Sequence, residues 1–157
     1  MIEIERKFLV SSTAYREQAF AKERIVQGFL NTAPERTVRV RLKGEKGYLT
    51  IKGISNTAGT SRFEWEKNIS KADAEALLAL CEKGVIEKVR YEVACDGHIY
   101  EIDEFMGENL GLTIAEIELK HENESFTKFD WLGKEVTGDV RYYNSQLSKQ
   151  PYTTWNI

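Results

Sequence analysis

Several residue types are scarce in this 157-residue chain, and each shortage removes a class of protein. Two cysteines, Cys81 and Cys95, make neither a disulfide framework nor a zinc site, and no CxxC pairing exists, so they read as buried thiols of a reducing compartment. Two prolines, Pro34 and Pro151, leave most of the chain free of residues that break elements. Two histidines, His98 and His121, stand at strand ends far apart in sequence, which disfavours them as a metal or acid/base pair. No apolar run approaches a membrane span, and no basic-then-apolar leader opens the chain, so the expected location is cytoplasmic, with no membrane partner. Neither sign of charge dominates: 22 Lys+Arg against 25 Asp+Glu gives a formal charge of -3. That balance argues against nucleic acid as a partner and against an anionic-membrane surface. Any anion site must be a local concentration of charge.

What the chain has in quantity is alternation. Hydrophobic residues make up 41% and charged residues 30%, a globular composition, and the length suits a single domain over residues 1–157. Successive strand side chains point to opposite faces. In "MIEIERKFLV" this sets Ile2, Ile4, Phe8 and Val10 against Glu3, Glu5 and Lys7. "TVRVRLKG" opposes Val38, Val40 and Leu42 to Arg39, Arg41 and Lys43, and "YLTIKG" opposes Leu49 and Ile51 to Thr50 and Lys52. "RFEWEKNI" carries Glu64 and Glu66 on one face, "EKVRYEVAC" Lys88 and Arg90, "IYEIDEF" Glu101 and Asp103, and "TIAEIELK" Glu116 and Glu118. "RIVQGFLN" is a further strand, and short Gly-containing connections make the sheet antiparallel. One helix is expected over "SKADAEALLALCEKG", with Ser70 as N-cap, Asp73 three residues on and Gly84 as its stop. A weaker one is expected over "SSTAYREQAFAKE", capped by Ser11 or Ser12, and a third around "RYYNSQLSKQ", ended by Pro151.

The bland explanation of the charged rows is the solvated side of a half-exposed sheet. Their composition works against it, because like is paired with like: Glu3/Glu5, Arg39/Arg41, Glu64/Glu66, Lys88/Arg90, Glu101/Asp103, Glu116/Glu118. Like charges on one face repel unless opposite charge lies between them. If the strands close with these rows inward, the lumen must be wet and hold charged guests. A polyphosphate and divalent metal ions answer both signs, since Arg and Lys bind phosphate and carboxylates with waters hold Mg²⁺ or Mn²⁺.

In this order the motifs resemble the CYTH, or triphosphate tunnel metalloenzyme, family. "EIERK" is similar to its N-terminal Glu-x-Glu-x-Lys. It is followed by the Arg-x-Arg of "VRVRL", the Lys of "LTIKG", the Glu-x-Glu of "FEWE", the Lys-x-Arg of "EKVRY", the Asp of "YEIDEF", the Glu-x-Glu of "AEIEL" and the tail "EVTGDVRYYNSQL". The resemblance spans essentially the whole chain. It implies a mainly β, α+β fold, an eight-stranded antiparallel β-barrel with flanking helices, and cleavage of a small-molecule triphosphate with one or two Mg²⁺ or Mn²⁺ ions. By the same resemblance Lys7, Arg39, Arg41, Lys52, Lys88 and Arg90 would bind phosphate, and Glu3, Glu5, Asp103, Glu116 and Glu118 would hold metal. Lys7 and Glu5 would serve the chemistry, Glu64, Glu66 and Glu101 would complete the lining, and the assembly is compatible with a homodimer. Hydrolysis of inorganic tripolyphosphate is the leading expectation. Thiamine or nucleoside triphosphate hydrolysis, an adenylate cyclase activity found on the same scaffold, and a non-catalytic polyphosphate-binding module are the alternatives. Cyclase-active relatives carry a His-Phe pair that this chain lacks, and a binding module would have broken carboxylates. Where many relatives read Gln-Gly-Tyr, this chain has "QGFL", with Phe29 in place of the tyrosine. Lys43, Arg62, Glu92 and Lys120 share the inward parity but lie near strand ends. Tyr142, Tyr143 and Asn144 read as a structural cap, Trp65, Tyr91, Trp131 and Trp155 as packing, and Arg6 and Glu104 as outward charges.

Overall fold

The computed structural model describes residues 2–156. Nine strands follow one another as β1 (Ile2–Val10), β2 (Ala21–Asn31), β3 (Thr37–Lys43), β4 (Lys46–Lys52), β5 (Ser61–Ile69), β6 (Ile86–Cys95), β7 (His98–Phe105), β8 (Thr113–Glu118) and β9 (Leu132–Glu135). Every pairing is antiparallel, in the order β5-β4-β3-β2-β6-β7-β8-β1-β9, and β5 returns to pair with β1. Eight strands therefore close into a barrel and β9 lies outside it. One edge of β1 is shared: Ile2–Ile4 pair with β5, while Phe8 and Val10 pair with β9 beyond a register shift. The eight-stranded antiparallel barrel implied by the family resemblance is the architecture found. β9 was not expected, because its four residues, "LGKE", carry no apolar/polar period.

The helices are shorter than their sequence patterns predict. α2 (Lys71–Leu78) starts where expected, with the Ser70 hydroxyl accepting from the Asp73 amide at 3.0 Å. It ends six residues before Gly84 and packs on β2, β3 and β4. Gly28 of β2 lets the segment after α2 come close, since a Cβ there would stand 2.8 Å from Cys81 Cβ. α1 (Tyr15–Gln18) is a single turn preceded by Ala14, with no side-chain cap from Ser11 or Ser12, and Ala19 is already extended. The third helix is broken. A 3₁₀ turn at Val140–Tyr142 and α3 (Asn144–Leu147) are separated by Tyr143, whose backbone is extended. Among the described residues no helix is long and apolar enough to cross a membrane.

Two apolar clusters hold this frame. Outside the barrel Phe8, Tyr91, Val93, Tyr100, Ile102 and Ile117 from the outward faces pack with Tyr15 and Trp131. Trp131 stacks on Phe129 at 5.0 Å, meets Tyr15 and Tyr100 edge-on, and donates its indole N–H to Gln18 at 2.8 Å. The second cluster joins Ile86, Phe105, Ile114 and Leu9, which share inward parity with the charged residues of their strands, to Val136, Tyr142 and Leu147. The C-terminal segment thus plugs one end of the barrel with apolar side chains. Trp131→Ala should lower the unfolding free energy by about 3–5 kcal/mol, the usual cost of emptying a Trp site, as measured by denaturant titration.

Candidate active site

The registers fix how the inward charges meet. Glu5 faces Glu118 and Lys7 faces Glu116 across β1 and β8. Glu101 faces Glu116, Arg90 faces Asp103, and Lys52 faces Glu64. Together these rows line a cavity of about 300 Å³ formed by Glu3, Glu5, Arg39, Arg41, Lys52, Glu64, Glu66, Arg90, Glu101, Glu116 and Glu118. Toward the plugged end it narrows to about 40 Å³, where Glu5, Lys7, Arg39, Lys52, Arg62, Lys88, Arg90 and Glu116 converge under Phe29, Tyr143 and Asn144. All the expected tunnel residues except Asp103 line one or both of these spaces.

Asp103, expected among the metal ligands, lies behind the lining and is 1% exposed. Arg90 donates to both of its oxygens, at 2.7 and 2.9 Å, and Lys88 Nζ approaches at 2.8 Å. Burial alone would raise the Asp103 pKa, but these two cations hold it well below the usual carboxylate range. Lys88 is held from its other side by Asn144 Oδ1 at 2.9 Å, and burial pulls its pKa down to about 8 against the opposing pull of Asp103. Lys52 is shared between Glu3 at 2.8 Å and Glu64 at 3.2 Å. Arg41 pairs with Glu66 at 3.3 Å, and Arg39 donates to Thr50 Oγ1 at 3.2 Å. Burial, with Arg41 alongside, lowers the Arg39 pKa to about 10.

Two sets of groups are left over, and they are of opposite sign. Arg39 Nε and Arg41 Nε are buried donors with no partner among the described residues. A buried donor left unsatisfied costs about 1–3 kcal/mol, so these two favour an anion in the lumen. On the acidic side burial pushes Glu5 up to about 8, with Glu116 and Glu3 adding to the rise. Burial and the nearby Glu3, Glu64 and Glu101 raise Glu118 as well. Glu116 goes the other way, to about 2, because Lys7 at 3.7 Å, Arg90 and Lys88 outweigh its desolvation. Two raised carboxylates in register across β1 and β8 form a site of hard oxygen donors that favours a cation. Among the described residues no three acidic, His or Cys side chains are already gathered as a complete ligand set. The donors present fit an ion that keeps several waters, as Mg²⁺ does.

Some site residues were left open by the sequence. Arg62, level with Glu3 on β5, lines the inner end and pairs with Glu3 at 3.7 Å. Tyr143 lines it too, with Lys7 Nζ 5.1 Å and Arg62 5.4 Å from its ring centre. Parity was the available signal for Arg62, whereas nothing in an irregular tail tells which of two adjacent tyrosines turns inward. Lys43 and Glu92 pair with each other at 3.7 Å and line neither space. His98 bonds to Glu124 and serves the outer surface.

A family model described as the CYTH domain matches residues 1–150. The chain belongs to the CYTH family. It is 52% identical to an inorganic triphosphatase of Acetivibrio thermocellus, over 96% of this chain and 95% of that protein. It is 36% identical to an inorganic triphosphatase of Nitrosomonas europaea, over 94% and 97% respectively. A solved inorganic triphosphatase structure covers 93% of this chain and 97% of its own, at 32% identity and a TM-score of 0.66. The expected family and fold are thus both found.

The carboxylates of this CYTH tunnel should be visible in stability. The folded-state pKa of Glu5, about 8, lies above its ordinary 4.5. The native state therefore holds a proton that the unfolded chain releases, and stability falls as pH rises from 4.5 through 8. In metal-free buffer Glu5→Gln should match the parent protein near pH 4 and exceed it in unfolding free energy near pH 8.5. Equal stability at both pH values would show that Glu5 is not crowded by its neighbours.

Proposed function

We propose that this chain is a divalent-metal-dependent triphosphatase that hydrolyses inorganic tripolyphosphate or a similarly small triphosphate inside its tunnel. The observation that carries the proposal is the leftover pair of opposite demands in one cavity: the buried Nε donors of Arg39 and Arg41, without a partner among the described residues, and the carboxyl groups of Glu5 and Glu118, which face each other across β1 and β8. A polyphosphate with its counter-cation meets both. The name carried by both similar proteins, inorganic triphosphatase, supports the same substrate class.

In this reading Arg39, Arg41, Lys52, Lys88 and Arg90 grip the phosphate chain, with Lys7 at its reacting end. As water adds to the terminal phosphorus and the anhydride P–O bond breaks, negative charge on the departing oxygens is stabilised by these fixed cations. Glu3, Glu5, Glu116 and Glu118 would hold one or two Mg²⁺ or Mn²⁺ ions, which supply a Lewis acid and a water of lowered pKa. Glu5 lines the same narrow end as Lys7 and would serve the chemistry through the metal it holds. Asp103 acts one layer back, fixing Lys88 and Arg90 in place. Glu64, Glu66 and Glu101 hold Lys52, Arg41 and Arg90 and keep the empty site from collapsing on its own charge.

Turnover should stop on chelation and return with Mg²⁺ or Mn²⁺, and poorly with Ca²⁺, which accepts irregular coordination and holds a reacting geometry less firmly. Full activity in excess chelator would overturn the metal role. Among substrates, tripolyphosphate should have the higher kcat/KM. The charged lumen offers a purine little of the stacking that is worth about 1–3 kcal/mol per base elsewhere. Steady-state assays with product chromatography decide this, and ATP yielding cyclic AMP and pyrophosphate would replace the hydrolase reading with a cyclase.

Glu118→Gln, which keeps shape and removes charge, should lower kcat/KM by at least about 100-fold, since even outer-shell partners of metal sites cost 10–100-fold. Glu104→Gln is the contrast. Glu104 points outward to Arg16 at 2.7 Å and to the Tyr15 hydroxyl, and its loss should leave turnover of the folded protein within about twofold.

A further inference from the structure

One fully buried polar side chain lies outside the tunnel's lining and still bonds to it. Gln27 of β2 shares the inward parity of Phe29, faces Arg41 of β3 and Ile86 of β6, and is 0% exposed. It lines neither the wide stretch nor the narrow end of the tunnel. Its Nε2 donates to Asn144 Oδ1 at 2.9 Å, and the same oxygen accepts from Lys88 Nζ at 2.9 Å. Asn144 and Lys88 both line the narrow end.

Chemistry dictates how both amides sit. An ammonium only donates, so Lys88 meets the carbonyl oxygen of Asn144 and not its NH2. Gln27, within hydrogen-bond distance of that oxygen, presents its own NH2. Gln27 Oε1 is thereby left buried and without a partner among the described residues. An orphaned acceptor weighs against folding, and an apolar side chain of the same length would avoid it. What Gln27 contributes is direction. An Asn144 amide turned over would set its NH2 against the donors of both Gln27 and Lys88.

The consequence falls on Lys88. Asp103 Oδ2, its ion-pair partner at 2.8 Å, belongs to a side chain that lies behind the lining. Alone, that carboxylate would draw the ammonium back from the lumen. The Asn144 oxygen pulls the other way, from the tail side of the narrow end. It is itself fixed in place, because α3 holds its backbone: the Asn144 carbonyl accepts from the Ser148 amide at 3.0 Å, and the Leu147 amide donates to the Tyr143 carbonyl at 2.9 Å. With two acceptors on opposite sides, the ammonium keeps its remaining N–H for the space it shares with Lys7 and Arg39.

We propose that Gln27 is a positioning residue for triphosphate cleavage, acting through the Asn144 amide to hold the Lys88 ammonium forward against the phosphate chain. The inference rests on the triphosphatase reading and adds to it a residue that touches no substrate. Lys88 is then aimed by two elements at once, β7 through Asp103 and the tail through Asn144.

The test is Gln27→Met, which keeps the length and removes the donor together with the orphaned acceptor. Its unfolding free energy, from denaturant titration, should equal or exceed that of the parent protein. With tripolyphosphate and Mg²⁺, kcat should fall about tenfold while KM moves by less than about twofold, because the other cations still grip the bound chain. Asn144→Asp supplies the second arm. Either oxygen of a carboxylate can accept from Lys88, so no donor is needed to orient it, and in that background Gln27→Met should change kcat by less than about twofold. An unchanged kcat in the single variant, stability and activity falling together, or a second tenfold loss in the Asn144→Asp background overturns the positioning role. Hydrolysis by the parent protein then leaves the triphosphatase reading standing. Parent protein that leaves tripolyphosphate intact overturns both.

Discussion

Closure of β5 onto β1 leaves the side chains of the inward faces no direction but toward one another. On an open sheet each charge would be hydrated separately. Inside the barrel each must find a partner or remain a standing demand for one, and the strand registers decide which. Arg90, Asp103 and Lys88 satisfy one another in a nearly dry triad. Taking one member from such a cluster strands the others, at a cost of about 3–5 kcal/mol, and Asp103 thereby fixes Lys88 and Arg90 in place. Glu5 opposite Glu118 has no such internal answer, and Arg39 and Arg41, which share Glu66, each keep a buried Nε without a partner among the described residues. The groups that the fold leaves unsatisfied are among those assigned to ligand and metal.

The lumen is also graded along its length. Leu9, Ile114, Phe105 and Ile86 continue the inward rows of β1, β8, β7 and β6 past their last charges and meet Leu147 and Tyr142 of the tail. Next come the cations of the narrow end, and beyond them a wider stretch in which Glu3, Glu64, Glu66, Glu101 and Glu118 join the lining. Beside the apolar plug, burial is the largest influence on the pKa of Lys88, Arg39 and Glu5 alike. Low local dielectric strengthens every interaction with a phosphate oxygen that replaces water there.

Most of the barrel and nearly all of its lining could be read from sequence because both rest on one short-range rule, the two-residue period of a strand. The rule failed where structure depends on distant contacts. α1 stops after one turn because Phe20 already donates to Glu92 of β6. The tail helix breaks at Tyr143 because that side chain turns into the lumen while Tyr142 joins the plug. Asp103 has the right parity and the right chemistry for metal. What parity could not tell is that its cross-strand partner is Arg90, so that its oxygens are taken. Arg62 had the parity as well, but its distance from the lumen depended on the 53–60 connection, which no periodicity describes.

Phe29 makes the last of these dependencies chemical. It lies opposite Arg39 on β2 and lines the inner end of the tunnel without a hydroxyl. The aromatic residue near Lys7 is instead Tyr143, and it presents its face, the hydroxyl being turned away toward Ser55. A ring face attracts an ammonium by about 0.5–2 kcal/mol and takes no proton from it. Lys7 also donates to the Tyr142 carbonyl at 3.4 Å and lies 3.7 Å from Glu116. Two of these three partners are uncharged and the third is the Glu116 carboxylate, so Lys7 is held between the tail and β8. In the proposed reaction an ammonium held in that way would act by charge on a phosphate oxygen. In this chain the tail that plugs the barrel therefore also holds the lysine at the inner end of the tunnel.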